Sequence, residues 1–431
     1  MNTNFKKAGK AVTLLLLVSG FTFTGFSVQS AEKDTTDEQY RAAMFLREQG
    51  KLLEAIEAFN TILANQPTLH RARIELAVAH FRARNYAQAR INAQKVLDDP
   101  KTPVNVKIAI NSFLVQLKIE EQKLITERKV WKPSLSFGLM HDDNVNAGPS
   151  SDVIQLGGAP FAINPSSLPR SDWAATAFGS LEHTWLADKP VSIGNTSARL
   201  YWNTLGQLYH REYDTDDDFD LSVVSLATGP ALLSMHNWRA NLKFQYDYIA
   251  LDGEHLADYF SATPSVTWQF KNADVTLDML VQERRFKRTQ DVGRDGLYTQ
   301  IGASYGRVMN NKKLGIQVGA RKFNYEADTA RFGYDGRELF AGANYVAWQN
   351  GSVYGRISRK VSRYDDIENG FGIARDETED KTVVGFKHKF KGNKLDNWVL
   401  DGSFTTFGAT SNVGIFDYDR DQVAFTLSRS F

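Results

Sequence analysis

Residues Trp238 to Tyr248 read WRANLKFQYDY. Trp238, Ala240, Leu242, Phe244, Tyr246 and Tyr248 fall on one parity. Arg239, Asn241, Lys243, Gln245 and Asp247 fall on the other. A period of two is that of a β-strand with unlike faces. Here one face is apolar with aromatic ends, and the opposite face carries charge.

The same pattern recurs along the chain. Val275, Leu277, Met279 and Val281 alternate with Thr276, Asp278, Leu280 and Gln282, and Leu314, Ile316, Val318 and Ala320 with Gly315, Gln317, Gly319 and Arg321. Trp398, Leu400 and Phe404 alternate with Val399, Asp401, Ser403 and Thr405. A soluble antiparallel sheet alternates too. These strands, however, follow one another with no helical layer to cover them. Each runs about 10 to 13 residues, against the usual five or six. Long alternating strands with aromatic ends suit a transmembrane β-barrel.

The connections point the same way. Fourteen strands are expected from Trp131 onward. After each even-numbered strand the turn is short and polar, as in SMHN, KNA, NNKK and QNG. After odd-numbered strands the connection is generally longer, or acidic and Gly-rich, as in EYDTDDD and YDDIENGFGIARDETE. Short turns on one rim and long loops on the other mark an outer-membrane barrel, with the short turns periplasmic. An even strand number then puts both barrel ends in the periplasm. In the terminal VAFTLSRSF, Val423, Phe425, Leu427 and Phe431 share a parity. A last strand ending in an aromatic resembles the signal read by the barrel-assembly machinery of Gram-negative-type outer membranes.

Upstream the period changes. Residues 37–128 carry apolar side chains at three- and four-residue spacing, the period of helix. EAIEAFNTILANQP and RARIELAVAHFRARNYAQARINAQKVLDDP match at an offset of 34: Ala55 with Ala89, Ile62 with Val96, Leu63 with Leu97. That period resembles the tetratricopeptide repeat. Two helix-turn-helix units would place Gly50 and Asn85 in their internal turns. A third helical stretch, Val104 to Arg128, would cover the second unit. The repeats are either a scaffold or a peptide-binding groove. The repeat's inward positions correspond here to Tyr40, Met44, Arg47, Ile74, Val78, Phe81 and Arg82.

The first residues read as a secretory signal peptide. Lys6, Lys7 and Lys10 precede the apolar AVTLLLLV, and SVQSAEK offers cleavage after Ser30 or Ala31. The apolar core is too short to span a bilayer. The expected organisation is α + β multidomain: a signal peptide over 1–31, a tetratricopeptide-like helical domain over 32–128, and a barrel over 129–431.

Composition narrows the chemistry. The chain has no cysteine, so disulfides and thiolate chemistry are excluded, and a formal net charge of +1 gives no argument for nucleic acid. No GxSxG or HExxH occurs, and the eight histidines are dispersed. His388 faces lipid near the periplasmic rim, the wrong end for a lipase-type site. Asp214, Asp216 and Asp218 alternate as calcium ligands do, but the EF-hand glycine and terminal Glu are missing, which leaves a solvated acidic loop. The expected lumen set is mixed in sign: Arg239, Lys243, Asp247, Asp278, Arg284, Arg321, Arg356, Lys360, Lys387, Lys389 and Asp401. One residue misfits. Parity puts Arg359 on the lipid side, where a midplane charge costs roughly 2–4 kcal/mol.

The first strand and its exit read WKPSLSFGLMHDDNVNAGP. With the repeats and the barrel, this segment resembles the surface lipoprotein assembly modulator (Slam) family, the type XI secretion translocons. Members carry an aspartate-asparagine run and then N-x-N there, and Asp142, Asp143, Asn144, Val145 and Asn146 hold those places. The resemblance implies export of a specific protein client, a surface lipoprotein or a secreted haem-binding or host-association factor, commonly with a small C-terminal β-barrel domain. The helical domain would recruit or hold the client, and the barrel would supply the route. It implies no catalysis and no cofactor. The partners expected are the client, the barrel-assembly machinery, and outer-membrane lipid with its lipopolysaccharide. The alternatives are a polysaccharide exporter, which also joins such repeats to a barrel, and a diffusion porin.

Overall fold

The computed structural model describes residues 32–127, 129–156, 158–188, 190–193, 196–234, 237–309, 311–392 and 394–431. The signal-peptide segment 1–31 lies outside the described residues. Five helices come first: α1 (Glu32–Glu48), α2 (Leu52–Asn65), α3 (His70–Arg82), α4 (Tyr86–Leu97) and α5 (Val104–Glu127). Each packs on the next. α2 buries Leu52, Ala55, Phe59, Ile62 and Leu63, the apolar side of an amphipathic helix. The residues that match at an offset of 34 are equivalently placed: Ala55 and Ala89 are fully buried, as are Ile62 and Val96. Gly50 turns the chain at φ +79° between α1 and α2. The position that aligns with it is Arg84, left-handed at φ +52°, followed by Asn85, whose side chain accepts from the Gln88 amide and caps α4.

Seventeen strands follow: β1 (Lys129–Asp142), β2 (Val153–Leu156), β3 (Ala159–Ala162), β4 (Asp172–Leu186), β5 (Val191–Ile193), β6 (Thr196–Tyr213), β7 (Leu221–Ser234), β8 (Trp238–Leu251), β9 (Glu254–Gln269), β10 (Ala273–Phe286), β11 (Gly296–Met309), β12 (Leu314–Ala327), β13 (Tyr334–Trp348), β14 (Gly351–Ile367), β15 (Ala374–Lys389), β16 (Val399–Ser411) and β17 (Tyr418–Ser430). β1, β4 and β6–β17 form a closed antiparallel barrel of fourteen strands, with β1 pairing both β4 and β17. Closure removes the sheet edges that a membrane cannot solvate. The strands are longer than the alternation suggested, because ladder pairing continues past the apolar belt into the rims. β6 has 18 residues.

Parity holds around the wall. Leu135, Phe137 and Leu139 on β1, Phe244 on β8, Ile301 on β11 and Leu339 on β13 project outward and are exposed. Their alternate neighbours carry the polar groups. The β8–β9 connection departs from the long-loop expectation: it is the two residues Asp252 and Gly253, at φ +54° and +68°, the tight hairpin geometry that an Asp-Gly pair favours. The first long loop is not shapeless either. β2 and β3 pair as a small hairpin, and buried Ile154 packs on Gly414 of the β16–β17 loop.

The helices and the barrel share a core. Phe81, Tyr86, Ala89 and Leu117 cluster with Leu186 at the end of β4, and Tyr201 of β6 packs against them. Leu186 and Tyr201 are register partners on the lumen-facing parity. Buried Arg199 donates to the Arg84 carbonyl and to the Asp188 carbonyl at 3.2 Å. The strained left-handed turn at Arg84 is therefore gripped from the barrel side.

Candidate functional site

The segment Asp142 to Asn146 sits where the barrel closes. Asp142 is the last residue of β1, faces inward and is 0% exposed. Its carboxylate accepts from Arg420 Nε at 2.9 and 3.1 Å, from Gln422 Nε2 at 2.7 Å, from the Tyr213 hydroxyl at 2.9 Å and from the Asn144 amide at 3.1 Å. Arg420 and Gln422 lie on β17. Four donors on one buried carboxylate make a charge-assisted network rather than a lone charge. Asp143 accepts from the Asp421 amide at 2.6 Å and donates its own amide to the Asp421 carbonyl at 3.1 Å. Asn144, also buried, donates to the Gly148 and Asp419 carbonyls at 2.9 and 2.8 Å and accepts from the Gly148 amide at 2.7 Å. Val145 packs with Met140, Ala174, Tyr213 and Phe219. Asn146 bonds the Leu168 carbonyl and the Arg170 amide. Every residue of the segment is thus engaged: three tie β1 to β17, and two fold the first loop back onto the rim.

The expected lumen residues lie on the inward parity, many of them paired. Arg321 meets Glu338 at 3.0 Å, Lys360 meets Glu379 at 3.0 Å, and Lys387 meets Asp401 at 3.2 Å. Asp247 is buried and accepts from Ser225 at 2.5 Å and Gln245 at 2.7 Å. Asp278 occupies the space a side chain at Gly302 would need. Arg239, Lys243 and Lys389 share the inward face of their strands. Arg356 stacks over Phe340, ring centroid 4.5 Å away.

Sequence reading missed the aromatic half of this wall. Arg284 lies over the rings of Tyr298 at 4.3 Å and Tyr325 at 4.9 Å. Arg375 sits between Tyr364 and Phe416 at 3.7 and 3.9 Å. Lys360 faces Phe323 and Tyr334. Strands β10 to β15 therefore present cations laid on aromatic faces. The signal was available in parity: Tyr298 shares its side with Gln300 and Gly302, not with Leu297 and Ile301.

In the helical domain the residues expected in a groove are distributed. Tyr40 packs edge-on to Phe59 beneath Arg71, and Met44 lies against the same core. Burial pushes the Tyr40 hydroxyl up. Arg47 is buried against Glu75, and burial lowers its pKa. Ile74 packs with Ala77, Ala93 and Val96, while Val78 is half-buried. Arg82 donates to the Arg47 carbonyl at 3.4 Å. Phe81 belongs to the core shared with the barrel. The open space lies elsewhere, in a cavity of about 500 Å³ on α2–α4 lined by Asn60, Arg73, His80, Gln88, Asn92 and Lys95. Burial lowers the His80 pKa. Among the described residues no group of three or more His, Cys, Asp or Glu stands where it could hold a metal ion.

No family model matches the chain. A curated relative named "Surface lipoprotein assembly modifier", from Pasteurella multocida (strain Pm70), is 25% identical over 147 residues, covering 34% of this chain and 26% of the relative. The match thus spans about a quarter of that relative's length. Among solved structures, Acinetobacter baumannii OccAB4 aligns with a TM-score of 0.34 at 11% identity, covering 70% of this chain and 98% of that one. The outer membrane protein opdK from Pseudomonas aeruginosa aligns with a TM-score of 0.35 at 8% identity, covering 70% and 99%. The relative carries the name of the family that the sequence resembles, and the closed fourteen-strand barrel with its apolar outer face is of the outer-membrane type.

Proposed function

We propose that this chain is an outer-membrane translocon that moves a protein client from the periplasm to the cell surface. The observation that carries it is the shared core of Phe81, Tyr86, Leu117, Leu186 and Tyr201. It seats the helical domain at the short-turn mouth of the barrel, on lumen-facing residues. With the short turns periplasmic, residues 32–128 are a periplasmic domain of two tetratricopeptide-like units, behind a signal peptide over 1–31 and ahead of the barrel over 129–431. The relative's name points to a surface lipoprotein as client. A soluble secreted factor with a C-terminal β-barrel domain fits the same role. Tyr40, Met44, Ile74 and Val78, which are only partly buried, are the groove positions proposed to meet the client. The barrel supplies a polar route, and folding of the client outside supplies direction, since no nucleotide is available in the periplasm.

The test compares surface-exposed and secreted proteins of cells carrying the full chain with those of cells carrying a chain lacking residues 32–128. One or a few proteins should leave the surface and accumulate in the periplasm, while the barrel still inserts. An unchanged surface with unchanged export sinks the proposal. A porin for small anions is the second reading, favoured by the cations laid on aromatic rings along β10–β15. Large, steady anion-selective currents in liposomes would favour it.

A further inference from the structure

The apolar belt on the outer face ends in charge on four neighbouring strands, with the Lys322–Arg337 rung two residues nearer the long-loop rim than the Arg359–Asp380 rung. Going from the short-turn rim toward the long-loop rim, the outward residues of β12 are Leu314, Ile316, Val318 and Ala320, and the next is Lys322. On β13 the first outward charge is Arg337, above Leu339; on β14 it is Arg359, above Ile357; on β15 it is Asp380. Arg359 and Asp380 neutralise each other through two bonds of 2.7 and 2.8 Å. Lys322 and Arg337 are different. They are direct register partners on the same exposed face. Neither has an ion-pair partner among the described residues. The carboxylate of Asp335, two residues nearer the rim on the same face, forms no ion pair with either. Like charges placed directly opposite on a ladder destabilise it.

Beside and below this pair lie exposed apolar side chains on four adjacent strands: Ile301 (63%) on the same rung, and Val318 (48%), Leu339 (59%) and Ile357 (57%) beneath it. Ile301 is in register with Lys322, and Leu339 with Arg359. Two uncompensated cations over an apolar floor, at the upper edge of the belt on the long-loop side, match one ligand shape: an anionic headgroup with acyl chains beneath it. A free anion would use the cations and leave the floor unused.

We propose that Lys322 and Arg337 bind a phosphate of the phosphorylated glycolipid of the outer leaflet, with its acyl chains against Ile301, Val318, Leu339 and Ile357. The anion relieves the repulsion between the two cations and fixes the barrel's height in the outer leaflet.

The test uses the full chain purified in detergent. Rough lipopolysaccharide, the same lipid A dephosphorylated, phosphatidylglycerol and inorganic phosphate are each titrated, with native mass spectrometry and the melting temperature as readouts. Lipopolysaccharide should bind and raise the melting temperature. Dephosphorylated lipid A and phosphatidylglycerol should bind more weakly, and inorganic phosphate should not compete at equal concentration. K322Q/R337Q should lose roughly tenfold or more in lipopolysaccharide affinity, as expected for two cations at a membrane surface. Without lipid it should melt at or above the unsubstituted chain, because the repulsion is gone. K322R should keep the affinity. Equal lipopolysaccharide binding by K322Q/R337Q, or equal binding of dephosphorylated lipid A, would overturn the site. Competition by inorganic phosphate at equal concentration would overturn the lipid as its occupant.

Discussion

At the scale of single residues, Asp142 shows what a sequence mark can and cannot disclose. The HDDNVN run stands out as a resemblance, yet its partners Arg420 and Gln422 lie on the last strand, 278 and 280 positions away. No local pattern reports that distance; only closure of the barrel brings the groups together. Removing one partner of a buried ion pair strands the other, at a cost of about 3–5 kcal/mol. D142A should therefore lower the temperature at which the folded barrel loses its fast-migrating form in heated gel samples. D143A, which forfeits one backbone bond, should cost about 1 kcal/mol. Equal midpoints for D142A and the unsubstituted chain would remove Asp142 from the closure. Arg359 makes the converse case. Parity alone made it a misfit, and register resolves it, because Asp380 stands directly opposite. D380A should then destabilise the barrel while R359A/D380A restores it, since charges near a membrane interface cost roughly 0–1 kcal/mol and more as they approach the midplane. Thermal melts of the two variants would decide it.

At the scale of elements, strand number, parity and the alternation of rims were legible because each is written as a period of two and a turn chemistry. The β2–β3 hairpin was not, because its contacts are with other loops rather than with its own strand neighbours. The seam between β1 and β17 was not legible either. It carries nine register pairs, from Ser134 with Ser430 to Asp142 with Gln422, where β1 and β4 carry fourteen. β17 stops while β1 continues for residues 129–132. A short seam invites the idea of lateral opening, but its outer end is held by the Asp142 network. Passage through the lumen leaves that network intact, whereas lateral passage must break it. The cysteine-free chain permits a clean test. S136C/S428C joins register partners on the inward face, and T276C/S304C locks β10 to β11 as a control. Both oxidised proteins should export as well as their reduced forms. Export blocked only by the oxidised seam pair, and restored by reductant, would move the route to the seam.

At the scale of the whole molecule, the two halves were each legible but their junction was not. Helix and barrel periods say nothing of the joint role of Leu186 and Tyr201, register partners on the inward face of their strands. The structure uses them as a socket: Leu186 is 1% exposed beneath Phe81, Tyr86 and Leu117, and Arg199 reaches the Arg84 carbonyl. Truncating a buried leucine costs about 2–5 kcal/mol. Here the cavity opens between the two halves rather than inside either. L186A should therefore undock the helices before it unfolds the barrel. R199A should do the same by releasing the left-handed turn at Arg84 from its grip. Both predict that limited proteolysis cuts within residues 98–103, between α4 and α5, faster than in the unsubstituted chain, while the barrel keeps its heat-modifiable migration. If the docked helices also hold the client at the mouth, the two variants should export less with the barrel still inserted. Faster cleavage with full export would keep the docking and dismiss its role in transport. Cleavage at the unsubstituted rate would show that the shared core holds without either residue.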